Sequence, residues 1–219
     1  MKTHRSNNRS HALTLVEVLA VVVILFILAA MLLPGGNNGR AKSIAKKIAC
    51  ANNLKQIGLS EKLWAGDHGD KFPFELSVTN GGTMELNTGT DAWKYFLVMS
   101  NELSTPKILI CPADDEHWPA ATNFSSQLAA HISYFITRSS DEDPQALISG
   151  DDNFEIGGVP VKPGWLILST NTPIRWMSTR HNRLGNVLFA DGSIQGINNS
   201  RLTNLLHQTG LATNRLAIP

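Results

Sequence analysis

Leu13 to Leu33, LTLVEVLAVVVILFILAAMLL, is the stretch on which the reading of the whole chain turns. Among its 21 residues only Thr14 and Glu17 are polar, and nothing polar interrupts Val18 to Leu33. A helix rising ~1.5 Å per residue carries such a run across roughly 30 Å, the thickness of a hydrocarbon core. The run is apolar all round, so it calls for lipid or like helices on every side. Glu17 is the exception. A carboxylate in that layer is unfavourable, less so toward the rim than at the centre, and needs a compensating partner.

Upstream, Met1 to Ala12 carries Lys2, Arg5 and Arg9 with His4 and His11 and no acid. This is the basic leader that holds an N-terminus in the cytoplasm. An ordinary secretory signal is cut after its apolar run; here a small residue, Ala12, stands before it. The six residues from Ala12 to Glu17 resemble the class III signal of type IV pilins and type II secretion pseudopilins. In that family a basic leader precedes a small residue, a hydrophobic residue, Thr, two aliphatics and Glu, with Gly the usual residue at the position of Ala12. The resemblance implies that a prepilin peptidase cuts between Ala12 and Leu13 and methylates the new amine of Leu13. It also gives Glu17 a purpose: neutralising the Leu13 amine of a neighbouring subunit as helices stack, since a buried charge is tolerated when paired. The simpler alternative leaves Glu17 snorkelling into headgroups.

Without leader and apolar run, roughly 185 residues remain, enough for one globular domain. The chain has 19 basic and 18 acidic side chains, and loss of Lys2, Arg5 and Arg9 leaves 16 against 18. A near-neutral product gives no electrostatic case for nucleic-acid binding. No internal repeat is visible.

Pro34 and the following Gly35-Gly36-Asn37-Asn38-Gly39 should kink or break the helix. From Arg40 to Trp64 helical periodicity resumes, with Ile44, Ile48, Ala51, Leu54 and Ile57 on one face, so this half should lie amphipathically against a sheet. The run Cys50 to Leu59, the later Cys111-Pro112, and His181 followed after nine residues by Asp191-Gly192 resemble a pseudopilin-like subgroup. Gly66 to Asp70 reads as a turn, Asp91 as the cap of a helix, and Ser200 as the cap of another reaching Leu206. Lys107 to Ile110, Ser133 to Thr137 and Trp165 to Ser169 read as strands. Asp191-Gly192 joins Asn186–Ala190 to Ser193–Ile197 in the strongest hairpin signal of the chain.

Cys50 and Cys111 are the only cysteines. In an exported domain they face an oxidising compartment, and a disulfide would stabilise by ~4 kcal/mol in the chain-entropy model. The alternative is two buried free thiols. Two isolated cysteines without a close His pair give no zinc spacing. No cofactor is expected; the resemblance to pseudopilins admits calcium as the one alternative, with Asp114 and Asp115 as the weak candidates, then the Asp67-x-x-Asp70 turn, while Asp141–Asp143 and Asp151-Asp152 are also acidic. Such runs are more often solvated loop, and no EF-hand spacing is present. His181 and Asp191 invite a catalytic reading, but no nucleophile motif accompanies them, and Asp191-Gly192 is explained by its turn.

The expected architecture is α+β and pilin-like. Residues 1–12 form the leader, 13–34 a transmembrane and filament-core helix, 35–65 its amphipathic second half packed on an antiparallel sheet, and 66–219 the globular head. The expected role is a structural subunit, not an enzyme, of a type IV pilus or type II secretion pseudopilus. Its partners would be copies of itself, other pilin-like subunits, the prepilin peptidase, an inner-membrane assembly platform and lipid. It would wait as a single-pass protein of the bacterial inner membrane, head in the periplasm, and then join a filament in the periplasm or at the cell surface. The rival is an exported or membrane-anchored binding module, its five Trp residues suggesting glycans.

Overall fold

The computed structural model describes residues 14–32, 38–86, 91–138, 144–169, 171–208 and 213–219. Ala12, Leu13, Pro34 and the acidic run 141–143 lie outside these. The chain divides into two compact units, Met1–Ala41 and Lys42–Pro219.

The first unit holds helix α1 (Leu15–Leu32). Its start is fixed by a reciprocal cap. The Thr14 N–H and hydroxyl both donate to Glu17 Oε2, at 2.8 and 2.9 Å, and the Glu17 N–H donates to Thr14 Oγ1 at 3.3 Å. This is the Thr-x-x-Glu capping box, which satisfies donors that a helix start otherwise leaves unpaired. Every side chain from Thr14 to Ala30 is exposed, so α1 has no buried stripe. Among the described residues no helix is long and apolar enough to cross a membrane.

Helix α2 (Asn38–Asp67), which belongs to the second unit from Lys42 onward, buries Cys50, Leu54, Ile57, Glu61 and Trp64, which recur every three or four residues along one face. That face is rotated from the expected one: Leu54 and Ile57 are core, whereas Ile44 and Ile48 are more than half exposed. Cys50 takes the place expected of Ile48 because the residues it meets across the sheet are polar.

The sheet facing α2 has six strands in the order β5-β9-β1-β2-β7-β8, from β1 (Tyr134–Thr137), β2 (Leu147–Asp151), β5 (Gly164–Ser169), β7 (Leu184–Phe189), β8 (Ile194–Asn198) and β9 (Thr213–Ile218). Every pairing is antiparallel. Alternation sorts its side chains. Tyr134, Ile136, Ile148 and Leu188 join the core beneath α2, while Phe135, Leu147, Val187 and Phe189 join a second core. The second core is closed by α5 (Asn199–Gln208) and a small sheet of β4 (Val159–Pro160), β3 (Phe154–Ile156) and β6 (Ile174–Trp176). Two glycines permit close approaches: a Cβ on Gly58 of α2 would stand 2.8 Å from Leu188, and one on Gly185 would stand 2.4 Å from the Trp176 ring.

The α+β expectation and the β7–β8 hairpin hold. Three local expectations do not. Residues Pro106–Leu109 form a 3₁₀ helix and not a strand, because Pro106 sits at its first turn and the Thr105 hydroxyl accepts from the Lys107 N–H. Helix α5 is capped by Asn198, whose Oδ1 accepts from the Arg201 N–H at 2.9 Å, and not by Ser200. Asp91 precedes α3 (Ala92–Val98) without a side-chain cap and pairs with Lys94 at 2.8 Å instead.

Candidate functional site

Four segments converge between α2 and the head. Helix α2 supplies Cys50; the segment after the 3₁₀ turn supplies Cys111 to His117; the end of β2 supplies Asp151 and Asp152; the turn before β7 supplies Arg180 and His181. They build two adjoining clusters.

In the first, Cys50, Cys111, Asp151 and His181 place one donor atom each within 4.8 Å of one another, and all four residues are buried. The Cys50 thiol donates to Asp151 Oδ1 at 2.9 Å, and Cys111 Sγ lies 3.2 Å from His181 Nε2. His181 Nε2 is 3.8 Å from Asp151 Oδ2, which also accepts from the Asn186 N–H at 2.7 Å and its side-chain amide at 3.2 Å. The Tyr134 hydroxyl points to Cys50 Sγ, and the Ala113 N–H to Cys111 Sγ, each at 3.4 Å. Burial pushes the Cys50 thiol and the Asp151 carboxyl up, whereas hydrogen bonding from Cys50, and then from His181, draws Cys111 down to about 6. Burial opposes the charge on His181, but Cys111 and Asp151 outweigh it and raise the imidazole. His181, Asn182 and Arg183 all have positive φ, at 47°, 54° and 62°. Three successive non-glycine residues in the left-handed region are costly, and here they form the turn that presents the imidazole.

The second cluster is an ion network. Asp114 Oδ2 accepts from Ser133 Oγ at 2.5 Å, His117 Nδ1 at 2.7 Å and Arg180 at 2.9 Å. Asp114 Oδ1 accepts the N–H groups of Glu116 and His117. Arg180 also donates to Asp152 Oδ1 at 2.6 Å. Burial favours the neutral Asp114 carboxyl, but the His117 hydrogen bond and the Arg180 charge outweigh it and hold Asp114 at about 2. Burial dominates for Asp152 and raises it.

The candidate residues thus scatter. Both Asp114 oxygens are engaged, and Asp115 is exposed beside Lys46 at 3.9 Å, so the two offer no shared cation site in this conformation. Asp67 and Asp70 are exposed at the end of α2, Asp70 with φ 59°. Cys50 and Cys111 meet, as a disulfide would require, but as free thiols, with Asp151 beside the first and His181 beside the second. His181 and Asp191 do separate jobs: Asp191 Oδ1 accepts the Ser193 N–H at 2.7 Å, and Gly192 takes φ 82° in the hairpin turn. Asp151-Asp152 reads in sequence only as an acidic pair, and Arg180 carries no signal, because nothing in their spacing links them to Cys50, 101 residues before Asp151, or to His181. The enclosed four-donor cluster can hold an ion or tie elements together, but its burial gives no room for a substrate.

Residues 7–33 match the prokaryotic N-terminal methylation motif. The match supports a type IV pilin-like N-terminus of the kind a prepilin peptidase processes. No curated protein and no solved structure matches the chain.

Proposed function

We propose that the protein is a structural subunit of a type IV pilus-like or type II secretion pseudopilus filament. The observation that carries this reading is the methylation motif over residues 7–33, laid on an apolar run whose described helix exposes every side. Such a surface of a single chain is satisfied by lipid before assembly and by like helices after it. Cutting before Leu13 would place a positive amine one helical turn from Glu17. Head-to-tail contacts that do not close then give a fibre.

In this reading the subunit resides in the inner membrane with its head in the periplasm until it is drawn into the filament. The α+β head, its long α2 lying on an antiparallel sheet, is consistent with that use. The test is the mass of the N-terminal peptide of the protein taken from native membranes. A chain beginning at methylated Leu13 is expected; an untrimmed leader, or a chain beginning beyond the apolar run, would overturn the reading and favour an anchored or released binding module.

A further inference from the structure

We propose that Cys50, Cys111, Asp151 and His181 are the ligands of a structural divalent cation of the zinc class, which fastens α2 to the head sheet. Their donor atoms lie within 4.8 Å of one another, with closest pairs at 2.9, 3.2 and 3.8 Å. Zinc bound tetrahedrally at about 2.0 to 2.3 Å separates its ligands by roughly 3.3 to 3.8 Å. To admit the ion the 2.9 and 3.2 Å pairs must part by several tenths of an ångström, while a pair at the 4.8 Å limit must close by about one.

The donor set selects the metal. Two sulfurs, one imidazole and one carboxylate suit zinc, whereas calcium takes six or more oxygens. Three of the four ligands are also held by a second layer. Asn186 donates twice to the Asp151 oxygen, and the Ala113 N–H and Tyr134 hydroxyl point at the two sulfurs. Such outer contacts orient metal ligands and moderate the charge on thiolates. The three left-handed residues from His181 to Arg183 are a further sign, because strained backbone persists where the surroundings over-determine it.

A disulfide between the same cysteines fits the site less well. Oxidation would remove the Cys50 S–H that donates to Asp151 Oδ1 and the Cys111 partner of His181 Nε2. Two buried polar atoms would each lose a bond, which is costlier than never having made it. Coordination instead engages all four donors at once: four metal–ligand bonds form, the thiol protons leave to solvent, and no electron moves. Because the four donors are enclosed, the ion would be taken up as the head folds, so metal binding and docking of α2 would be one event.

The experiment uses the full-length chain purified in detergent without chelator, its metal content measured, then stripped and reloaded with cobalt(II). About one zinc per chain and the charge-transfer and d–d bands of a tetrahedral cobalt–thiolate site are expected. Cys50→Ser should abolish both, and His181→Asn, which tolerates the left-handed backbone, should weaken binding by about tenfold or more. Absence of bound metal and of those bands in the wild-type chain would overturn the proposal, as would a Cys50–Cys111 disulfide in protein from native membranes. The wild-type cobalt spectrum decides the matter even where Cys50→Ser does not fold. The filament reading stands or falls separately, on the N-terminal mass.

Discussion

Helices α1 and α2 are neighbours in sequence and opposites in physics. Helix α1 exposes every described side chain, nearly all of them apolar. Helix α2 buries one face so completely that Cys50, Leu54 and Ile57 have no accessible surface. At about 25 cal/mol per Å², the surface of α1 is a large unmet driving force, met only by lipid or other chains. The buried face of α2 is met within the chain. Changes in α1 should therefore alter association and leave the head intact, and changes beneath α2 should do the reverse.

The largest expected effect is at Glu17, and it separates two roles. In the structure Glu17 closes the cap of its own helix with Thr14. In a filament it would also neutralise a neighbour's amine. Glu17→Ala removes both roles, whereas Glu17→Gln keeps a capping side chain and loses the charge. Both variants should fail to enter filaments, since an unpaired buried amine costs on the order of 3–5 kcal/mol, or a hundredfold or more in affinity. The measurement is subunit content of sheared filaments, with the head's melting temperature unchanged. Assembly of Glu17→Gln would show that only the cap matters.

Beneath α2 the counterpart is Arg180→Met. Arg180 is the cation shared by Asp114 and Asp152, both nearly inaccessible. Removing one partner of a buried pair leaves uncompensated charge and costs about 3–5 kcal/mol. Denaturant unfolding of the full chain should show that loss, while transit of the N-terminus through the peptidase stays normal. A change under about 1 kcal/mol would mean that water reaches the network.

The two helices were also unequally legible. Composition alone identified α1, because nothing polar competes with its reading, and Asn186–Ile197 disclosed its hairpin through Asp191-Gly192. The Thr14-x-x-Glu17 cap is equally legible as a Thr-x-x-Glu pattern ahead of an apolar run. The buried face of α2 agrees with the expected one at Leu54 and Ile57 and departs from it toward the N-terminus, where Cys50 is buried and Ile44 and Ile48 are exposed. Hydrophobicity favoured Ile44 and Ile48, but what α2 meets at that level is Asp151 and His181, and a cysteine suits those partners better than an isoleucine. Strand β9 escaped notice because Asn214 and Arg215 interrupt its apolar pattern; it is placed by pairing with β5 and β1 on its two sides. The four-donor site could not be read at all, since its members come from positions 50, 111, 151 and 181 and only the sheet register unites them.

A smaller effect is expected in the second core. The Cβ of Gly185→Ala would stand 2.4 Å from the ring of Trp176, which ends β6 and is wholly buried, stacked on Phe154 at 4.4 Å between centroids. Neither ring can yield without displacing the other, so overpacking should cost about 1–3 kcal/mol. Gly58→Ala should cost less, because the atoms it meets are the tip of Leu188 and because alanine gains up to about 1 kcal/mol of helix preference.

The smallest effect, and the one that distinguishes the ion network from simple packing, is pH dependence at His117. Its hydrogen bond to Asp114 raises the imidazole above its ordinary value, more than burial lowers it. A raised folded value means that the stabilisation is fully present below the unfolded value of about 6.5 and is lost as pH rises through the folded one. Asp114 has the opposite sign: held at about 2, it contributes above its unfolded value of about 3.9 and loses that contribution as pH falls toward 2. The difference in unfolding free energy between wild type and His117→Gln, measured by denaturant unfolding, should therefore be widest from about pH 4 to 6, on the order of 1 kcal/mol, and narrow on either side. A gap constant from pH 4 to 9 would show that His117 contributes shape and not charge, and would return the whole effect of Asp114 to Arg180 and Ser133.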